Sequence, residues 1–168
     1  MEDLLQKIEY VLGDCGFFLD GVFQDLERSG FFLDEFEELD HIAYRTENIE
    51  KYEEVKNKLI GFSKTYDEKM FNGRLIFVCR LETPIEYGRF SIEGIELLAP
   101  KENNKHKNGL EHAEFVVKTT LPEFRKKHGD IDFDSDAYGR EENPELEVKF
   151  ECCAVKFHEQ SLLEVRGI

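Results

Sequence analysis

Two stretches of this 168-residue chain, Asp40-His41-Ile42-Ala43 and Glu111-His112-Ala113-Glu114, open with the same acid-His pair 71 residues apart and head similarly ordered units. Duplication constrains a fold strongly, because each copy repeats one supersecondary unit and buries its apolar face alongside its twin. Residues 40–46 alternate, with Ile42 and Tyr44 on one face and His41, Ala43 and Arg45 on the other, which predicts a strand. Residues 49–60 place Tyr52, Val55 and Leu59 at helical spacing before a stop at Gly61. Strands follow over 62–66, 75–82 (after the turn signal Asn72-Gly73) and 90–99. Beyond a polar linker, 100–108, the order restarts. It runs through a strand over 111–117, a short helix over 121–128 ending at Gly129, and a loop rich in Asp and Gly. Strands near 145–150 and 154–159 follow, with a closing helical turn over 161–165. The expected fold class is α+β, one domain over 1–168 with two βαβββ modules at 39–100 and 109–168.

The first 38 residues stand outside the repeat as a helical preface. Leu4, Leu5, Ile8, Val11 and Leu12 make one amphipathic helix over 1–12, and Phe18, Val22 and Leu26 line a second from about 17 to 28. These Phe-rich pieces suit packing on a neighbouring sheet; a peptide-binding surface is the other reading. Charge is uneven: residues 1–40 hold 12 acids and 2 bases (net −10), which leaves 25 acids and 20 bases (net −5) of the total −15 for the rest. Such a balance excludes a phosphate-backbone partner and anionic membrane surfaces, both of which need clustered Lys and Arg. Apolar runs such as 75–79 are far too short to span a bilayer, and the acidic start does not resemble a secretory signal. Cys15, Cys79, Cys152 and Cys153 contain no C-x-x-C pair, and adjacent Cys152 and Cys153 would point to opposite faces of a strand. The expectation is a cytoplasmic protein with reduced, packed thiols.

His41 and His112 take the second position of each opening strand. The last strand of the first unit offers Glu96, and that of the second offers His158. The two-residue period sends Ile42, Tyr44, Ile95, Leu97, Ala113, Phe115, Val155 and Phe157 toward a helix layer, so His41, Glu96, His112 and His158 share the opposite, concave face. Imidazole nitrogen and carboxylate oxygen are ligands for Zn²⁺, Mn²⁺, Fe²⁺ or Ni²⁺; a hydrogen-bonded polar cleft is the plainer reading. Arg45, Glu114 and Lys156 lie on the same face. Arg45 or Arg74 could hold a substrate carboxylate and Glu114 could act as general base, unless these groups simply pair with neighbours. His106 reads as a solvated linker residue, and His128 as a helix-end residue complementing the dipole. The alternating acids of 130–136 lack the glycine and glutamate of a calcium loop, which leaves a solvated acidic loop. There is no nucleophile elbow, phosphate-binding glycine loop or dinucleotide fingerprint.

The chain resembles the vicinal oxygen chelate superfamily (glyoxalase, bleomycin-resistance and extradiol dioxygenase relatives), and within it the YecM-like proteins. The resemblance runs from about Leu39 to Val165. It rests on Asp40-His41-Ile42-Ala43-Tyr44-Arg45, Asn72-Gly73-Arg74, Ile95-Glu96-Leu97, Glu111-His112, Asn143-Pro144, Lys156-Phe157-His158 and Ser161-Leu162. It implies two βαβββ modules whose sheets curl into an open cleft, with metal ligands from the first and fourth strands of each: His41, Glu96, His112 and His158. Glyoxalase-type members usually carry Glu at the last position, where it can move a proton. His158 there, with Glu164 six residues beyond as the other candidate, puts glyoxalase-style isomerisation in question more than metal binding.

These readings converge on a divalent-metal-binding protein acting on a small organic substrate as an isomerase, lyase or dioxygenase. The alternative is a non-catalytic small-molecule-binding protein of the same fold, so whether the chain is an enzyme stays open, as do the metal and the choice between monomer and homodimer.

Overall fold

The computed structural model describes residues 4–168, so the first three residues of the expected N-terminal helix lie outside the described residues. Helix α1 (Leu4–Leu12) leads through Gly13 into α2 (Cys15–Arg28), whose N-cap Asp14 accepts a hydrogen bond from the Phe17 amide. The buried stripe of α2 is Cys15, Leu19, Val22 and Leu26. Leu19 rather than Phe18 faces the core, because an i, i+4, i+7, i+11 spacing set by Cys15 leaves Phe18 on the flank. A single 3-10 turn then delivers the chain to β1 (Phe36–Arg45), which starts inside the segment expected to be helical preface.

Helix α3 (Ile49–Ile60) follows, capped by Asn48, which accepts from the Lys51 amide; Tyr52, Val55 and Leu59 are its buried face. Next come β2 (Ser63–Phe71), β3 (Arg74–Tyr87) and β4 (Phe90–Leu98). Asn72 and Gly73 both have positive φ, 48° and 78°, as a two-residue type I′ hairpin turn requires. Strand β2 outruns its expected span because it is a largely exposed outer strand, extended by pairing with β3 rather than by an apolar pattern.

The second half holds β5 (Gly109–Val117), α4 (Leu121–Lys127), β6 (Leu146–Lys149), β7 (Ala154–His158) and α5 (Leu162–Arg166). The first strand after α4 is reduced to one bridge, Asp134 with Glu147, so the two halves match in order but not in strand length. Cys152 and Cys153 do not sit on a strand. They lie in a turn before β7, closed by the Phe150 amide donating to the Cys153 carbonyl, with Cys152 exposed; all four thiols are free.

The seven strands form one sheet in the order β2-β3-β4-β1-β5-β7-β6. Each half pairs its first and last strands in parallel, β1 with β4 and β5 with β7, and the halves join antiparallel through β1 and β5. Helices α1 to α4 cover one face. There Phe31 and Phe36 join Phe115, Phe124 and Phe157 in a core whose closest rings are 4.5 Å (Phe36–Phe115) and 4.8 Å (Phe124–Phe157) apart. Phe31 and Phe36 are therefore packing residues, whereas Phe17 and Phe32 are exposed. The other face is concave. At one end α5 packs Leu163 against Ala43, Ile76, Val78 and Leu98. Among the described residues no helix is long and apolar enough to cross a membrane.

Candidate metal centre

The backbone irregularity that builds the site lies where β1 meets β5. Leu39 pairs with Phe115 and His41 with Glu114, so Asp40 is an extra residue on β1; Ala43 pairs with His112 and Tyr44 with Leu110, so Glu111 is an extra residue on β5. Each is a β-bulge, which slips the two-residue alternation by one. Leu39 and Ile42 both join the core although three apart, and so do Leu110 and Ala113. The slip lets an acid and the histidine after it share the concave side. Asp40 Oδ2 sits 2.6 Å from His41 Nδ1, and Glu111 Oε1 sits 3.3 Å from His112 Nδ1. A carboxylate on Nδ1 fixes the tautomer and turns Nε2 inward. Asp40 is held in turn by the Leu162 amide at 3.0 Å, which ties α5 to the site.

Gly94 makes the first imidazole possible. It is the β4 partner of His41, and a side-chain carbon there would lie 2.7 Å from His41 Cβ and 2.8 Å from the Asp40 carbonyl oxygen.

Four buried side chains converge on the concave face: His41, Glu96, His112 and Glu114 each offer a donor atom, all within 4.8 Å of one another. His112 Nε2 is 3.1 Å from both Glu96 Oε2 and Glu114 Oε1, and His41 Nε2 is 3.4 Å from Glu114 Oε2. His41 is fully buried, yet its Nε2 has no hydrogen-bond partner. An orphaned imidazole nitrogen facing two carboxylates and a second imidazole is a donor set that fits a divalent cation of the Zn²⁺, Mn²⁺, Fe²⁺ or Ni²⁺ type.

Electrostatics tie the cluster together. Burial would lower the His41 pKa, but Glu114 above all, with Asp40 and Glu96, raises it well above the usual imidazole range. Burial would likewise raise both glutamates. Glu96 is instead held well below the ordinary carboxylate range by His112 and His41, and Glu114 by His41, His158 and Lys156.

His158 takes a different place from the one its sequence position suggested. Counting along the parallel ladders, His41 matches His112 and Ala43 matches Glu114, so the counterpart of Glu96 is Lys156, and His158 matches Leu98. His158 joins a second group with Glu114 and Glu145; its Nε2 lies 2.6 Å from Glu114 Oε2, and its Nδ1 donates to the Pro144 carbonyl at 3.1 Å. Glu114 therefore belongs to both groups, and Lys156 stands 3.7 Å from it. Glu164, the other residue weighed for that place, is exposed on α5 and belongs to neither group. Arg45 lies on the cleft face and pairs with Glu111, the acid on His112, and with His106 at 2.8 Å. His106 is thus half-buried against Arg45 rather than free in solvent. His128 caps α4 and bonds Glu35 at 2.8 Å. Sequence inspection missed Asp40, Glu111 and Gly94 as builders of the site; the signal for the bulges is the three-residue spacing of Leu39–Ile42 and Leu110–Ala113 around the repeated acid-His pair.

Glu96, His112, Glu114 and His158 line a cleft of about 450 Å³, with His41 buried behind them. The fold has counterparts among solved structures. The structural-genomics protein EC4020 superposes with a TM-score of 0.77 at 23% identity, covering 98% of this chain and 92% of that one. A variant of Streptomyces coelicolor methylmalonyl-CoA epimerase, solved in complex with 2-nitronate-propionyl-CoA, superposes with a TM-score of 0.52 at 12% identity over 73% of this chain and 96% of its own. At these identities the likeness establishes the fold, that of the vicinal oxygen chelate proteins. An uncharacterized protein of Haemophilus influenzae is 29% identical over 80 residues, which is 48% of this chain but only 42% of that relative's length. The YecM protein family model matches residues 7–152, most of the chain. With the doubled unit, its curled sheet and its helical preface accounted for, the chain belongs to the YecM protein family and has the vicinal oxygen chelate fold.

Proposed function

We propose that this chain binds a divalent metal ion through His41, Glu96, His112 and Glu114 and uses it on a small organic substrate in the cleft, as an isomerase, lyase or dioxygenase. The observation that carries this reading is the buried set of two imidazoles and two carboxylates with converging donor atoms, in which His41 Nε2 lacks any hydrogen-bond partner. When bound, such an ion supplies a Lewis acid for vicinal oxygens of the substrate. The chain's own residues divide the remaining work. Asp40 and Glu111 aim the imidazoles, and Arg45 steadies Glu111. His158, whose Nδ1–H donates to the Pro144 carbonyl, sets its Nε2 2.6 Å from Glu114 Oε2, and in its protonated form it steadies that carboxylate by charge. Its pKa is raised: burial opposes, but Glu114 and then Glu145 outweigh it. Glu114 is thus better placed as a ligand than as a free general base. Cys15 and Cys79 are packed thiols with pKa values pushed by burial to about 12 and 11, which suits the reducing cytoplasm.

A second reading has its own support. His112 lies between Glu96 and Glu114 at hydrogen-bond distance, and the acids raise the pKa values of His41 and His158, so imidazole–carboxylate pairing balances the carboxylates in a purely binding cleft. Elemental analysis of protein purified without chelators or affinity tags, followed by thermal-shift titration with Zn²⁺, Mn²⁺, Fe²⁺ and Ni²⁺, separates the two. Near-stoichiometric metal, lost in His112→Ala, supports the first. Metal-free protein that takes up none of the four ions, while small organics still stabilise it, establishes the second and overturns the first.

A further inference from the structure

The chain as a whole carries 37 acids and 22 bases, yet the cleft is lined by eight basic and eight acidic side chains. Six of those bases have an acidic oxygen within 3.8 Å, among them Arg45 with Glu111, Lys156 with Glu114 and Glu145, and Lys149 with Asp134. Arg74 and Lys101 have none among the described residues. Arg74 Nε and Nη1 are sequestered from solvent without any hydrogen-bond partner. At those two nitrogens the guanidinium loses water's hydrogen bonds and makes none in return, unless a ligand supplies the acceptor.

The fold concentrates the charge deliberately. Arg74 opens β3 just after the Asn72-Gly73 turn, and its alternation with Ile76 and Val78 puts it on the concave face, in the strand whose Val78 pairs with Glu96. Lys101 lies three residues past the end of β4, after Ala99 and Pro100. The two cations feel each other: Arg74 first, then burial and Arg45, lowers the Lys101 pKa, and burial followed by Arg74 brings Arg45 down to about 10. Like charges gathered in a cleft, two of them with no ion-pair partner among the described residues, describe a site whose counter-charge arrives with the ligand.

We propose that Arg74 and Lys101 form an oxyanion subsite, which selects substrates carrying a carboxylate or a phosphate ester in the same cleft as the His41–Glu96–His112–Glu114 cluster. This rests on the reading of the cleft as the substrate site, but not on the presence of a metal. The planar guanidinium gives two parallel N–H directions that suit either oxyanion, and the ammonium adds an unoriented charge.

The test is calorimetric titration of wild type, Arg74→Gln and Lys101→Gln at constant ionic strength with succinate, phosphoglycolate and the neutral dimethyl ester of succinate. Each titration is run with EDTA and with Zn²⁺. Expected are binding of at least one anion, none of the ester, and affinity at least about tenfold weaker in Arg74→Gln. Preference between succinate and phosphoglycolate identifies the oxyanion. Because Arg74 has no protein partner, Arg74→Gln should keep or raise the melting temperature, which a structural arginine would not allow. If Arg74→Gln fails to fold, Lys101→Gln decides. Equal binding of anion and ester, no binding of either anion, or unchanged affinity in the folded variants overturns the proposal. Failure of the metal reading looks different: anions still bind, and Zn²⁺ is not taken up.

Discussion

Replacing Gly94 with Ala probes whether the site depends on the close approach of β1 and β4. The added carbon would lie 2.7 Å from His41 Cβ and 2.8 Å from the Asp40 carbonyl oxygen, whereas apolar atoms rest at about 3.5–4.0 Å. The shortfall is about 0.8 Å or more. Neither obstacle is the far end of a flexible side chain, so the strands have to part. Both are central and flanked, β1 by β4 and β5, β4 by β1 and β3, which leaves no solvent edge to absorb the shift. Overpacking of this kind costs about 1–3 kcal/mol, and the expectation here is the upper end. For a chain of this length that is a fall of roughly 6–12 °C in melting temperature. Gly21, in the middle of α2 with nothing within 4 Å of its added carbon, is the control; Gly21→Ala should gain about 0.5–1 kcal/mol. Urea unfolding followed by circular dichroism measures both. Metal affinity should fall in Gly94→Ala alone, because His41 moves with its strand. A Gly94→Ala protein as stable as wild type, with unchanged metal uptake, would refute the argument that this glycine makes room for the imidazole.

Asp40→Asn keeps an acceptor oxygen for the His41 Nδ1–H and the Leu162 amide but removes the charge. Calorimetric titration should show divalent-ion affinity down about 10- to 100-fold, with the melting temperature nearly unchanged; an equal affinity would deny Asp40 its positioning role. Glu35 supplies a pH test remote from the cleft. Burial would raise its carboxyl pKa, but Lys127, the Phe32 amide and His128 hold it below the usual value. A depressed folded-state pKa means stability that is present above the unfolded pKa and lost as pH falls through the folded one. Glu35→Gln should therefore lower stability near pH 7 by about 1–2 kcal/mol, and the gap to wild type should close on acidification below pH 4.5. A gap independent of pH would assign the loss to packing instead.

Much of the architecture could be read before any coordinates. Alternation placed Ile42, Tyr44, Ala113 and Phe115 against the helices, and the interval from Tyr52 to Leu59 with Gly61 beyond it marked α3. The Asn72-Gly73 pair located the β2–β3 turn. What was misjudged shares one cause: the residue's environment is set by a partner strand rather than by its own neighbours in sequence. Strand β2 is prolonged by β3. Cys152 and Cys153 belong to a turn although their text suits a strand, and the first strand after α4 shrinks to the Asp134–Glu147 bridge.

The same division runs through the site. Residue types, the repeated acid-His pair and the two-residue period were enough to put His41, Glu96, His112 and His158, with Glu114 beside them, on one face, because side-chain direction along a strand is a local property. Which of those groups meet is not local. It follows from the register between β1 and β5, from two one-residue bulges, and from parallel ladders that align Lys156, not His158, with Glu96. A shift of a single residue across a strand pair changes every distance in the cluster while leaving the sequence pattern intact. The repeat and its chemistry are therefore written in the chain. The set of groups that converges, and the charge left unpaired on Arg74, exist only once the two halves are docked.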